Sequence, residues 1–151
     1  MTHSPDLTLE LTRVLPAPAP AVFAAFSEPE DLEKWWGPQG FTVPTVAFDP
    51  RVGAAYRIEM QPPEGESFSL IGEFREVDPP TRLAYTFVWD PPDPDDVETV
   101  VDLRFRDVDG STEVAFAQGP FRTEERRSLH RDGWTETFDK LEHHLRSGQA
   151  I

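Results

Sequence analysis

The chain has 151 residues, enough for one domain with a real core, and 38% of them are hydrophobic, which places it among folded globules. Fourteen basic against twenty-eight acidic residues leave a net charge of −14, a field that disfavours nucleic acid and anionic membrane surfaces as partners. With no cysteine there is neither a disulfide framework nor thiolate chemistry. No run approaches the roughly 20 apolar residues of a membrane span, and Met1-Thr2-His3-Ser4-Pro5-Asp6 lacks the basic and apolar regions of a signal peptide. The expectation is a cytoplasmic single domain, 1–151, with its core at about 7–146.

The first strand is expected near 7–15, with Leu7, Leu9 and Leu11 on one face. Two short helices follow. One, at about 19–26, carries Val22, Phe23 and Phe26 at helical spacing. The other, at about 29–36, opens on Pro29-Glu30-Asp31 and ends at Trp35-Trp36-Gly37-Pro38, the residues expected at a helix start and stop. Further strands are expected near 42–49, 53–61, 67–78, 81–90, 97–106 and 111–118. Their large side chains fall on alternate residues: Tyr56, Ile58 and Met60; Phe68, Leu70 and Phe74; Leu83, Tyr85, Phe87 and Trp89; Val101, Leu103 and Phe105; Val114 and Phe116. A period of two marks a sheet with one buried face and one wet face.

Most of the sixteen prolines fall between these runs, as expected of a residue that cannot donate to a ladder. Pro44 is the exception and marks its strand as an edge or a bulge. The acidic, proline-rich stretch Asp90 to Glu98 reads as a hairpin tip, and Asp109-Gly110 as a tight hairpin turn. The last helix is expected from an N-cap at Thr123 to about Arg146, with His130, Trp134, Phe138, Leu141 and Leu145 in one stripe. Arg127, Arg131, Asp139, Glu142 and Arg146 fall on its reverse face. A one-faced sheet needs a cover, and this helix supplies it. The fold class is therefore α+β: about seven antiparallel strands curved around a long C-terminal helix, with two short helices closing one end.

Few motifs carry chemistry. His3 lies in the N-terminal tail, and the adjacent His143 and His144 point in different directions on a helix. His130 shares the apolar stripe, where it reads as a partly exposed helix residue near a cavity mouth or as a general base or hydrogen-bond partner for a ligand. Asp49, Arg51 and Glu73 read as ion pairing around a turn before a polar subsite. Arg13 has inward parity near a strand end and reads as an anion anchor or a solvated side chain. No His/Asp/Glu spacing resembles a metal motif, and phosphate loops, nucleophile elbows and Ser-His-Asp spacings are absent, so no metal or cofactor is expected.

Several segments, taken in order, resemble a known family. They are Arg13-Val14-Leu15-Pro16-Ala17-Pro18 before Val22-Phe23, Leu32-Glu33-Lys34-Trp35-Trp36-Gly37-Pro38, and Asp49-Pro50-Arg51-Val52-Gly53. Gly72-Glu73-Phe74-Arg75-Glu76-Val77, Pro79-Pro80-Thr81-Arg82-Leu83 and Asp132-Gly133-Trp134 complete the set, with Ala54 standing where the pattern often has a second glycine. The family is that of homologues of the heat-shock-protein-90 ATPase activator, related to that activator's C-terminal domain. It lies in the START-like (SRPBCC) superfamily, whose birch-pollen-allergen relatives show the helix-grip fold. The resemblance implies a hydrophobic cavity between sheet and long helix. It does not imply one chemistry, since fold does not fix function.

The candidate walls of such a cavity are Tyr56, Ile58, Met60, Phe74, Tyr85, Phe87, Leu103, Phe116, His130, Trp134 and Phe138, with Trp35, Trp36 and Phe41 gating the mouth. The same side chains would serve equally as a solid core. Three functions follow: binding of an apolar or aromatic small molecule, cyclase- or hydrolase-type catalysis in the same cavity, and contact with a chaperone. The absence of a catalytic motif favours the first. The sequence leaves the oligomeric state open.

Overall fold

The computed structural model describes residues 7–37, 40–92, 94 and 96–149, with side chains through 146. His3, Pro38, Asp93 and Asp95, each part of a sequence expectation, lie outside the described residues. The elements run β1 (Leu9–Leu15), α1 (Ala19–Ser27), α2 (Pro29–Trp35), β2 (Thr42–Ala47), β3 (Ala55–Gln61), β4 (Phe68–Asp78), β5 (Arg82–Asp90), β6 (Thr99–Val108), β7 (Ser111–Gly119) and α3 (Glu124–Gln149). All seven strands form one antiparallel sheet in the order β1-β7-β6-β5-β4-β3-β2. It curves around α3, which gives the helix-grip architecture.

Period-two patterning sets the sheet's two faces. On β3, Tyr56, Ile58 and Met60 are buried while Ala55 and Arg57 are exposed, and on β6, Thr99, Val101, Leu103 and Phe105 are buried. Pro44 sits on β2, which is an edge strand, between Thr42 and Thr45 where the register to β3 shifts. An edge with a bulge is where a strand tolerates a missing donor. Asp109 and Gly110 both take positive φ, 50° and 85°, and join Val108 to Ser111 as a two-residue hairpin turn.

The helix cover is held by aromatics. Trp134, Phe138, Leu141 and Leu145 of α3 are buried. Phe116 of β7 lies 4.5 Å from Trp134 and 5.8 Å from Phe138, centroid to centroid. Fully burying one such side chain contributes about 1.5–3 kcal/mol, so this stripe, and not helix propensity, fixes α3 in place. Thr123 caps the helix through its hydroxyl to Arg126 N, at 3.1 Å. The short helices close one end: Phe26 meets Trp35 at 4.9 Å and Phe105 at 5.6 Å, and Trp35 Nε1 donates to Ala25 O.

Gly72 marks a local opening of the β4–β5 ladder. Paired with it, Tyr56 passes close by and donates its hydroxyl to Thr86 O on β5. The Thr86 hydroxyl in turn accepts from Glu73 N at 2.8 Å. A Cβ on Gly72 would stand 2.0 Å from Thr86 O and 2.6 Å from the Tyr56 ring. Only glycine permits this approach.

Arg13, part-exposed, pairs with Asp139 and Glu142 of α3, which turns part of that helix's reverse face toward β1. The acidic stretch after β5 joins it to β6 as a hairpin, as expected, and Asp96 pairs with Arg126 in the first turn of α3. Asp49 and Arg51 form an exposed pair at 2.9 Å, as expected of a turn. Among the described residues no helix is long and apolar enough to cross a membrane.

Candidate functional site

A recess of about 130 Å³ lies between α3, β5, β3 and the turn after α2. One helix face supplies His130, Gly133, Trp134 and Thr137, with Leu129 at the rim. The spacing of three, four and seven from His130 puts these residues on one side of the helix. Phe87 and Trp89, two apart on β5, form the opposite wall, and Met60, Trp36 and Gly37 complete it. Gly37 has a φ of 90°, and a Cβ there would stand 3.1 Å from Met60 Cε and 3.3 Å from Phe41 Cβ. The turn therefore needs glycine to let Trp36 close on Met60.

The polar atoms around this recess are mostly paired within the protein. Trp89 Nε1 donates to His130 Nε2 at 3.1 Å, while His130 Nδ1 lies 2.9 Å from Arg126 O. An accepting Nε2 leaves the ring proton on Nδ1, so His130 is the neutral tautomer with both nitrogens engaged. Burial holds its pKa below the ordinary imidazole value, against the raising effect of the Arg126 carbonyl. Trp134 Nε1 donates to Gln118 Oε1 at 2.8 Å, and Gln118 Nε2 donates to Thr99 Oγ1 at 2.9 Å. The Thr137 hydroxyl donates to Gly133 O.

Of the fourteen expected wall and gate residues, Trp36, Met60, Phe87, His130 and Trp134 are brought together at the recess. Tyr56, Phe74 and Tyr85 instead pack with Phe48, at centroid separations of 4.9–6.1 Å. Ile58, Leu103, Phe116 and Phe138 are core, Trp35 is wholly buried beneath α1, and Phe41 packs against Phe68. Much of the cup is thus filled by its own side chains. The Tyr85 hydroxyl is buried with no partner among the described residues, and desolvation pushes its pKa up.

Residues that the sequence reading left out are Gly37, Leu129, Gly133 and Thr137 in the lining and Gln118 behind it, while Trp89, on the inward face of its strand, joins the wall. Gln118 was legible: it continues the inward parity of Val114 and Phe116 on β7. Gly133 and Thr137 share the helix face of His130, but a stripe traced through large apolar residues passes over them. Among the described residues no cluster of three or more His, Asp or Glu is placed to hold a metal ion.

The family described as Activator of Hsp90 ATPase homolog 1-like protein matches the chain over residues 16–146. The fold is similar to that of a crystal structure from Nitrosomonas europaea, 28% identical over 99% of this chain and 100% of that one, with a TM-score of 0.82. The AHSA1 protein of Silicibacter pomeroyi is 27% identical over 93% and 99% of the two chains, with a TM-score of 0.82. A Chromobacterium violaceum protein is 26% identical over 91% and 95%, with a TM-score of 0.80. No curated protein matches.

Proposed function

Since the chain belongs to the Activator of Hsp90 ATPase homolog 1-like family, whose START-like fold sets a sheet against a long helix, we propose that its recess binds a small apolar or aromatic molecule. The observation that carries this reading is the recess itself: about 130 Å³ of space walled by Trp36, Met60, Phe87, Trp89 and Trp134. Apolar space of roughly 150 Å³ takes up a benzene-sized guest. One ring, or a branched group of that size, is therefore the part of a ligand that this space accommodates. Burial supplies the affinity, and the pairing of the nearby indoles and His130 keeps their polar atoms from competing for water.

Binding is favoured over proton-transfer catalysis by the state of His130. It is the one titratable side chain among the described lining residues, and its basic nitrogen already accepts from Trp89. General acid–base chemistry needs a group within reach of the substrate's proton and free to take it.

The test is a titration of the full chain with toluene, followed by tryptophan emission and by the indole N–H signals in NMR. A seven-atom probe of ordinary ligand efficiency should saturate with a Kd of about 0.1–1 mM at one site per chain. Non-saturating drift of every signal, together with capture of an Hsp90 chaperone by the same protein, would replace this reading with a protein-contact role.

A further inference from the structure

We infer that the recess selects an organic cation, a methylated ammonium group on an apolar body, over a neutral group of the same shape. This deepens the binding reading and rests on it. The first observation is the arrangement of the rings. Trp36 stands at 84° to Trp134 with centroids 5.4 Å apart, and Phe87 at 89° to Trp89 across 5.0 Å. Phe87 in turn lies 6.4 Å from Trp134 at 52°. Four rings thus stand as adjoining walls around one space instead of stacking face on face. A stacked pair spends a face of each ring on the other, whereas an edge-to-face contact covers no more than one face of one ring. Aromatic faces carry the negative part of the ring quadrupole, and indole is the strongest of them for a cation.

The second observation is what surrounds those rings. No lysine or arginine lines the recess among the described residues. Arg126, one turn from His130, is paired with Asp96. His130 is neutral in its Nδ1–H tautomer, and burial favours that state, so it places no opposing charge on the wall. The chain as a whole carries −14, which raises the local concentration of cations and opposes anionic ligands. The third is size: about 130 Å³ suits a compact trimethylammonium head, whose charge is spread over its methyl groups and is therefore cheaper to desolvate than a primary ammonium. Desolvated cation–π contacts favour the cation by about 30-fold in affinity.

The test compares choline with 3,3-dimethylbutan-1-ol, which has the same shape with a carbon in place of the charged nitrogen. Both are titrated into the full chain at about 1 M salt, where screening cuts the general field to a range of about 3 Å. Met60 methyl and indole N–H signals report occupancy. Choline should saturate at one site and bind about 30-fold tighter than the alcohol. Phe87→Leu, which keeps the wall apolar, should weaken choline about 10-fold and the alcohol little. The wild-type ratio stands without that variant if it does not fold. If the alcohol saturates and binds as tightly as choline or tighter, the cation inference is overturned while the binding reading survives. If neither probe saturates, both fail.

Discussion

Replacing Gly72 by alanine puts the β4–β5 junction to a quantitative test. The added methyl would sit 2.0 Å from Thr86 O and 2.6 Å from the Tyr56 ring, and the oxygen belongs to backbone that cannot rotate away. Something must shift. Forcing bulk into a packed site costs about 1–3 kcal/mol. Displacing Tyr56 breaks its hydroxyl bond to Thr86 O and leaves a buried donor unpaired, a further cost of about 1–3 kcal/mol. Alanine recovers roughly 0.5–1 kcal/mol of the conformational freedom that glycine loses on folding. The net expectation is a loss of about 2–4 kcal/mol in urea melts. In Tyr56→Phe the hydroxyl is already gone, so Gly72→Ala should cost less in that background, and the double-mutant cycle isolates the shared term. A loss below about 0.5 kcal/mol would refute the close approach.

Trp134→Phe keeps most of the ring packing but leaves the Gln118 carbonyl oxygen without the indole N–H; about 1–3 kcal/mol should be lost in urea melts, and Gln118→Leu in the same background should restore part of it. The pH dependence follows from His130, whose folded pKa lies below its unfolded value because burial opposes the charge. Between those two values the unfolded state binds more protons, so stability is full above about pH 6.5 and declines as the pH falls through the window. His130→Gln should flatten that segment of the stability profile; an unchanged slope would show that His130 does not titrate differently in the fold. Tyr85→Phe removes a buried hydroxyl without a partner among the described residues and should be neutral or stabilising by about 1 kcal/mol, whereas a loss above that would mean the hydroxyl holds a bond.

Much of the fold was legible because a period of two cannot be hidden: Tyr56-Ile58-Met60 and Val101-Leu103-Phe105 have one way to face a core. Pro44 even located the edge and its bulge. The recess was less legible for a physical reason. Whether inward rings meet or leave a gap depends on volumes contributed by several elements at once, and no single strand carries that sum. Tyr56, Phe74 and Tyr85 have the same parity as Phe87, yet Phe48 from the loop after β2 fills the space between the first three. At the other end Gly133 adds no side chain, and the space beside it remains. Spacing alone also gave no sign that His130 would have both nitrogens occupied, because Trp89 reaches it from a strand 41 residues away.

The central claim is that the gap beside Gly133 is a binding site, and Met60 offers the most direct view of it. The chain has two methionines, Met1 and Met60, and Met60 lines the recess. Methyl-labelled methionine therefore gives one reporter on the site wall and one at the chain's start. On titration with toluene the Met60 methyl should shift and saturate at one site per chain. That shift should be lost in Gly133→Leu, whose side chain would occupy the space. A Met60 signal that stays fixed while tryptophan emission changes, or one that moves equally in Gly133→Leu, would contradict the claim.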